Sequence, residues 1–340
     1  MSQAIRDKLN RPIQDLRVSV IDRCNFRCNY CMPKDEYAKH YQFLKTNEWL
    51  SFDEIERLVR LFVSLGVRKV RVTGGEPLLR PELPTLIERL SNIPSIEDLA
   101  LTTNGSLLAG HAAALKKSGL ERLTVSLDSL DARVFKTMSG EKGTLKNVLD
   151  GISAAEEAGF GSIKINVVIQ RGVNDHTVMD LVEHFRGTKH VLRFIEYMDV
   201  GNCNHWQNAY VVPSKEILKE IEAHYPLRPV DAHYFGEVAE RYAFSDGKGE
   251  IGFISSVSQP FCQSCTRARL STDGKLFTCL FAGDGTDLRA PLRAGKNDEE
   301  VLEIIKTAWQ KREDRYSELR SKLIAQNPHG HKVEMFQIGG

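Results

Sequence analysis

A chain of 340 residues with 46 Lys and Arg against 45 Asp and Glu, formal net charge +1, is long enough to bury one large core or two smaller ones, and carries no charge excess to coat a nucleic acid. No apolar run approaches the roughly 18 residues of a membrane helix, and residues 1–8 lack the hydrophobic region of a secretion signal, so a cytoplasmic, unprocessed protein with no membrane or nucleic-acid partner is expected. Seven cysteines, odd in number and mostly clustered, suit ligands in a reducing compartment better than disulfides.

In chain order, residues 16–21 alternate apolar and polar and predict a strand. Cys24, Cys28 and Cys31 follow on the loop at its end, with three and then two residues between them. Ser51-Phe52-Asp53-Glu54 is a capping box; Phe52, Ile55, Leu58, Val59, Phe62 and Val63 then recur on one helical face, and Gly66 stops that helix. Strands are predicted at 69–73, 98–102, 122–127, 163–169 and 191–197, alternating with helices at 52–63, 81–90, 109–117, 145–158 and 176–185. Six such β/α units predict a parallel sheet with right-handed crossovers and helices outside. On pattern alone, a partial (β/α)6 barrel, a complete eight-stranded barrel and an open doubly wound sheet fit about equally. Beyond about residue 208 the rhythm changes, to a helix at 214–223, a hairpin of 238–244 and 250–255, a second cysteine group, an interrupted helical tract over 298–324 and a strand-like tail at 332–338 before two glycines. The expected division is 1–208 and 209–340.

Three thiolates on one short loop can hold three corners of an iron–sulfur cubane and leave the fourth iron open, which suits a reaction centre. A structural zinc site is the alternative, with Asp22 or a distant His as fourth ligand. Thr73-Gly74-Gly75-Glu76-Pro77 ends the second strand; its glycines permit close backbone approach to a ligand and Glu76 can accept from an ammonium, while a plain turn before a helix is the blander reading. Cys262 and Cys265, then Cys279 after thirteen residues, again offer three thiols, and zinc there would need Cys203 or a histidine such as His205. Arg17, Arg71 and Lys164 lie within predicted strands, and Arg267 and Arg269 share one face of an extended segment. Converging guanidinium groups match phosphate oxygens well.

The run Cys24-Asn25-Phe26-Arg27-Cys28-Asn29-Tyr30-Cys31-Met32-Pro33 resembles the signature of the radical S-adenosylmethionine (radical SAM) enzymes. Together with Cys-Gln-Ser-Cys-Thr-Arg-Ala-Arg from Cys262 to Arg269, with Cys279 and with Gly339-Gly340, the chain resembles the branch of that family that opens molybdenum-cofactor biosynthesis. The resemblance implies an α/β fold, a partial (β/α)6 TIM-type barrel closed by a C-terminal α+β region. It implies two [4Fe-4S] clusters, on Cys24, Cys28 and Cys31 and on Cys262, Cys265 and Cys279; the first cleaves SAM to a 5'-deoxyadenosyl radical and the second binds a guanine base. Tyr30, Gly75, Glu76, Ser126 and Met198 match cofactor contacts. Arg17, Arg71, Thr102, Lys164, Arg267 and Arg269 match contacts to GTP, which is cyclised to 3',8-cyclo-7,8-dihydro-GTP. Gly339 and Gly340, a frayed end on composition, are implied to enter the active site, giving a catalytic set of Arg17, Arg267, Arg269, Gly339 and Gly340. Implied partners are an external one-electron reductant, a downstream cyclic pyranopterin monophosphate synthase and a second copy of the chain in a homodimer. The alternatives are a radical maturase acting on a peptide or protein, and a metal-stabilised scaffold that moves electrons or holds a partner.

Overall fold

The structure, a computed structural model, describes residues 5–34, 41–327 and 330–339. Strands β1 (Asp15–Ser19), β2 (Lys69–Thr73), β3 (Asp98–Thr103), β4 (Arg122–Ser126), β5 (Lys164–Ile169) and β6 (Val191–Glu196) are parallel neighbours in chain order. Helices α1 (Phe52–Ser64), α2 (Leu83–Ser91), α3 (Ala112–Lys117), α4 (Ala132–Met138), α5 (Leu145–Glu157) and α6 (Val178–Phe185) fill the connections. Each strand sends alternate residues such as Leu16, Val18, Val70, Val72, Leu123 and Val125 into one continuous core with Leu58, Phe62, Leu86 and Leu115 of the helices. The start of α1 is the expected capping box: Ser51 N–H donates to the Glu54 carboxylate at 2.7 Å and Glu54 N–H to Ser51 Oγ at 3.1 Å. Gly66, at φ +117°, turns the chain away after it. α4 has no counterpart in the sequence reading; Asp131 caps it, accepting from the Arg133 and Val134 amides.

The C-terminal region continues the same sheet. Its strands are β7 (Leu227–Val230), β8 (Glu240–Phe244), β9 (Glu250–Ile254), β10 (Arg267–Leu270), β11 (Lys275–Phe277) and β12 (Thr286–Asp287). The predicted hairpin is present as β8 and β9, but β9 also lies parallel to β6, pairing Leu192 with Ile251. On the opposite edge β10 lies parallel to β1, pairing Leu16 with Ala268. The partial barrel of β1 to β6 therefore gains one parallel strand at each side, and antiparallel strands extend the sheet beyond both. The remaining helices are α7 (Ser214–Glu222), α8 (Arg289–Arg293), α9 (Asp298–Gln310), α10 (Tyr316–Gln326) and α11 (Met335–Ile338). Among the described residues no helix is long and apolar enough to cross a membrane.

The tail departs from expectation. Residues 335–338 form a single helical turn, not a strand, because Glu334 and Gln337 close it on themselves: Gln337 N–H donates to Glu334 O at 3.0 Å and Glu334 N–H to Gln337 Oε1 at 3.2 Å. The apparent alternation comes from Phe336 and Ile338, both buried, within that turn.

Candidate active site

Strand β1 delivers Cys24, Cys28 and Cys31 to the loop at its C-terminal end, and all three line one large cavity in the barrel mouth. The loop is folded on itself and propped from outside. Met32 N–H donates to Cys28 O at 2.9 Å, Arg27 N–H to Ser139 O at 3.0 Å and Asn29 N–H to Met138 O at 3.3 Å, so the end of α4 shapes the thiol loop. Gly140 completes that prop: it sits at φ +65°, and a Cβ there meets Arg27 O at 1.9 Å. Burial, with Glu76 adding to it, pushes the Cys24 thiol up to about 12, and burial likewise holds Cys28 and Cys31 above their usual range. Buried soft thiols of this kind suit an iron–sulfur cluster, whose positive irons hold them as thiolates. Among the described residues no three His, Cys, Asp or Glu side chains gather as a single metal ion requires, and Asp22, the candidate fourth zinc ligand, accepts from Leu44 N–H at 2.7 Å. We expect Gly140→Ala to strain this loop, on the order of 1–3 kcal/mol locally. Iron per chain should then fall towards half after anaerobic reconstitution, with far-ultraviolet circular dichroism unchanged.

Thr73-Gly74-Gly75-Glu76 lies directly against the thiol loop. Gly75 N–H donates to Ile21 O at 2.7 Å and Glu76 N–H to Arg23 O at 2.8 Å. A Cβ on Gly75 meets Arg23 O at 2.2 Å, so the close backbone approach that makes this residue glycine is to the thiol loop itself. The Glu76 carboxylate is buried and accepts from Leu78 N–H, Thr103 Oγ1–H at 2.7 Å and Asn104 N–H at 2.8 Å. Burial outweighs these donors and raises its pKa to about 7. Tyr30 Oη donates to Asp128 at 2.9 Å. Ser126, at the end of β4, and Met198, just past β6, face the same cavity.

Across it, Cys262 and Cys265 sit on a short helical turn before β10, and Cys279 follows β11; all three line the cavity too. Arg267 Nη2 and Arg312 Nη2 each donate to Cys265 Sγ at 3.1 Å. Burial raises this thiol, but the two guanidinium groups prevail and bring it down to about 6. Cys279 is pushed up to about 12 by burial and then by Asp314, against a weaker pull from Arg312. Here too the donor set is three thiols on a cavity wall, and it fits a cluster as the first does.

Between the thiol groups runs a row of cations fixed by strand register. Arg269 of β10 pairs with Arg17 of β1, and Arg17 with Arg71 of β2. Burial and then Arg269, Arg71 and Arg267 hold the Arg17 pKa well below its usual value, with Asp15 opposing. Arg71 Nη1 donates to Thr102 Oγ1 at 3.1 Å and to Thr124 Oγ1 at 2.9 Å, so Thr102 holds a guanidinium in place. Lys164 is not part of the cavity lining; it lies close to Arg193, Arg122 and Arg71. Arg193 and Asn104 also line the cavity and were absent from the sequence reading. Arg193 carried the signal that marked Arg17, a charge inside an apolar strand, whereas Asn104 follows β3 without any. Cations packed this densely repel one another unless an anion joins them, so the cavity suits a polyanion.

The tail reaches this row. Arg269 Nη1 donates to Gly339 O. Gly339, at φ +73°, lies where a Cβ meets Thr73 Cγ2 at 2.0 Å. The contact with the cation row is thus made by Arg269, the register neighbour of Arg17. Gly340 lies outside the described residues.

Residues 18–185 match the Radical SAM superfamily, and residues 190–318 match the family described as Molybdenum Cofactor Synthesis C. Over all 340 residues the chain is 55% identical to a GTP 3',8-cyclase of Xanthomonas axonopodis pv. citri (strain 306), covering 100% of both chains. It is 49% identical to the GTP 3',8-cyclase of Acidothermus cellulolyticus and 47% identical to that of Staphylococcus aureus (strain MRSA252), in each case covering 100% of both chains. Among solved structures, Streptococcus suis SuiB bound to precursor peptide SuiA superposes with a TM-score of 0.62 at 15% identity, over 92% of this chain and 68% of that one, a likeness of fold.

Proposed function

We infer the division of labour in this cavity from one premise, that the chain belongs to the GTP 3',8-cyclase family of radical SAM enzymes. It converts GTP to 3',8-cyclo-7,8-dihydro-GTP, the first step of molybdenum-cofactor biosynthesis, using SAM and two [4Fe-4S] clusters. When bound, the cluster on Cys24, Cys28 and Cys31 and its SAM supply a carbon radical, and the cluster on Cys262, Cys265 and Cys279 supplies a seat for the guanine base. The rest is positioning and charge. The Glu76 carboxylate takes the ammonium of SAM, with Gly75 beside it. Tyr30, held by Asp128, fixes its ring near the adenine, and Ser126 and Met198 wall the same end. Arg17, Arg71, Arg267 and Arg269 hold the triphosphate in the row set by β10, β1 and β2, with Thr102 orienting Arg71. Residues 1–208 serve the cofactor and share the triphosphate, and 209–340 serve the substrate base and carry the tail. The setting is a cytoplasmic homodimer supplied by an external one-electron reductant, with product passed to cyclic pyranopterin monophosphate synthase.

The observation that carries this reading is two thiol triads on the wall of one cavity with a row of arginines between them. Anaerobic reconstitution tests it: about eight irons per chain, from two cubanes, and SAM cleavage that depends on GTP. Roughly four irons, or cleavage indifferent to nucleotide, contradicts it.

Lys164 yields a pH prediction. Burial first, then Arg193, Arg122 and Arg71, bring its pKa from 10.5 down to about 6, so the free enzyme at pH 8 holds it neutral. A triphosphate favours the ammonium form and raises the pKa, so GTP binding takes up a proton between these limits and weakens as pH rises, by up to about tenfold per unit. Calorimetry in buffers of different ionisation enthalpy should show net proton uptake on GTP binding at pH 8, lost in Lys164→Met.

A further inference from the structure

The tip of the tail meets the cation row at Arg269, and its base is fixed elsewhere. The described part of the tail, residues 330–339, is gripped at its base by the turn that follows β6. Asn202 reaches it three times. Its Nδ2 donates to Gly330 O at 3.0 Å, its Oδ1 accepts from Lys332 N–H at 2.7 Å, and its own N–H donates to Glu334 Oε1 at 2.8 Å. Asp199, three residues earlier, takes the Lys332 ammonium at 2.8 Å on Oδ2 and 2.9 Å on its carbonyl. Asp199 is itself fixed, buried against Arg320 Nε at 2.8 Å and the Tyr316 hydroxyl. Between the two, Gly201 sits at φ +66° with no room for a Cβ, because Glu334 Oε2 lies 2.0 Å from where it would be.

The same turn also belongs to the cofactor end of the cavity. Two residues past Asn202, Asn204 Nδ2 donates to Met198 O at 3.0 Å and to Tyr30 O at 3.4 Å, while Tyr197 Oη donates to Asn204 O at 2.8 Å. One short segment therefore ties the base of the tail to the wall that carries Met198 and Tyr30. The tip is tied separately, by Arg269 to Gly339, by Gln337 Nε2 donating to Tyr41 Oη at 2.8 Å and by Phe336 packed edge-on against Tyr41. A tail with a free base has many more ways to miss Arg269 than to meet it, since a flexible segment is found at a given point only in proportion to the volume it explores.

We propose that the turn from Asp199 to Asn204 is a dock that aims the C-terminal tail, with Asn202 and the Asp199–Lys332 pair as its positioning residues. Neither Asn202 nor Lys332 lines the cavity that carries both thiol groups. The proposal rests on the cyclase reading only for its effect on turnover; the docking itself does not.

The test uses the full chain with both clusters loaded. Asn202 is exposed, so Asn202→Ala leaves the core intact, and Lys332→Met keeps the aliphatic stem while removing the charge. Hydrogen exchange read by mass spectrometry should show amides of 335–338 exchanging at least tenfold faster in either variant, with the strands of the barrel unchanged. Steady-state kinetics should show kcat for GTP lowered at least tenfold and KM for GTP within about twofold of wild type, with iron per chain and barrel-strand exchange unchanged, which general loss of structure does not leave intact. Unchanged exchange in the tail overturns the dock, as does a released tail with unchanged kcat. If the wild-type enzyme forms no cyclised product, the cyclase reading fails while exchange still decides the dock.

Discussion

Cys24→Ala, Cys28→Ala and Cys31→Ala are each expected to abolish SAM cleavage, a fall of more than about 10³-fold, because the cofactor carries the hard chemistry and these thiols carry the cofactor. Cys262→Ala, Cys265→Ala and Cys279→Ala should keep roughly half the iron and keep the machinery that cleaves SAM, and should weaken GTP binding by about 10²-fold, the scale of a lost contact to a charged group. The contrast follows from what each triad touches. The first is stitched to Glu76 through Ile21 and Arg23 and lies beside Tyr30. The second is surrounded by Arg267 and Arg312 and adjoins β10, which carries Arg269. Electron paramagnetic resonance of the two sets of variants, with SAM and GTP added separately, reads the difference. If the spectrum of the first cluster ignored SAM and that of the second responded to it, the roles would be exchanged.

Removing Gly339 and Gly340 is expected to leave both clusters, SAM binding and most GTP affinity in place while lowering cyclised product by about 10²-fold or more, since small misplacement at a reacting centre costs rate on that scale. The truncation removes the Gly339 carbonyl and leaves Arg269 only the longer contact to Ile338 O, at 3.5 Å, as the new chain end. Gly339→Ala should go most of the way alone, because φ +73° and the approach to Thr73 leave no place for a methyl group. A peptide ending in Met335-Phe336-Gln337-Ile338-Gly339-Gly340, added to the truncated enzyme, should restore part of the turnover. Chromatographic assay of product from the truncated enzyme at ordinary substrate concentrations decides it: full product formation would return the two glycines to a frayed end.

Where one face of an element does one task, the sequence was readable. The box at Ser51 and Glu54, the stop at Gly66 and the six barrel strands stand where periodicity put them, because burial of alternate residues decides them locally. The cysteine spacing marked the first triad because its ligands share one loop, and the second because Cys262 and Cys265 share a turn and β10 and β11 form a short hairpin that brings Cys279 back to it. What the pattern could not show depends on partners far along the chain. β9 reads as the arm of a hairpin and is one, yet its other edge completes the barrel beside β6. α4 is short, and its importance lies in the carbonyls of Met138 and Ser139 that meet the thiol loop, which no side-chain pattern records. The tail alternates like a strand, but among the described residues it pairs with no strand of the sheet, and Glu334 with Gln337 satisfies its backbone in a turn instead. Asn104 and Asn202 act through amides at loop positions where asparagine is ordinary.

The placement of β1 between β2 and β10 sets a timetable for synthesis. β2 leaves the ribosome soon after β1, but β10, which covers the other edge, begins about 250 residues later. At about 5–20 residues per second that is roughly 10–50 s in which the strand leading to Cys24, Cys28 and Cys31 has one row of unpaired amides and carbonyls beside reactive thiols. Nascent chains are therefore most exposed to oxidation and to edge-to-edge association before the second thiol group and β10 have been made. Stalled or truncated chains ending before β10 keep that edge open indefinitely, which makes the first cysteine loop dependent for its shelter on nearly the last strand to be made.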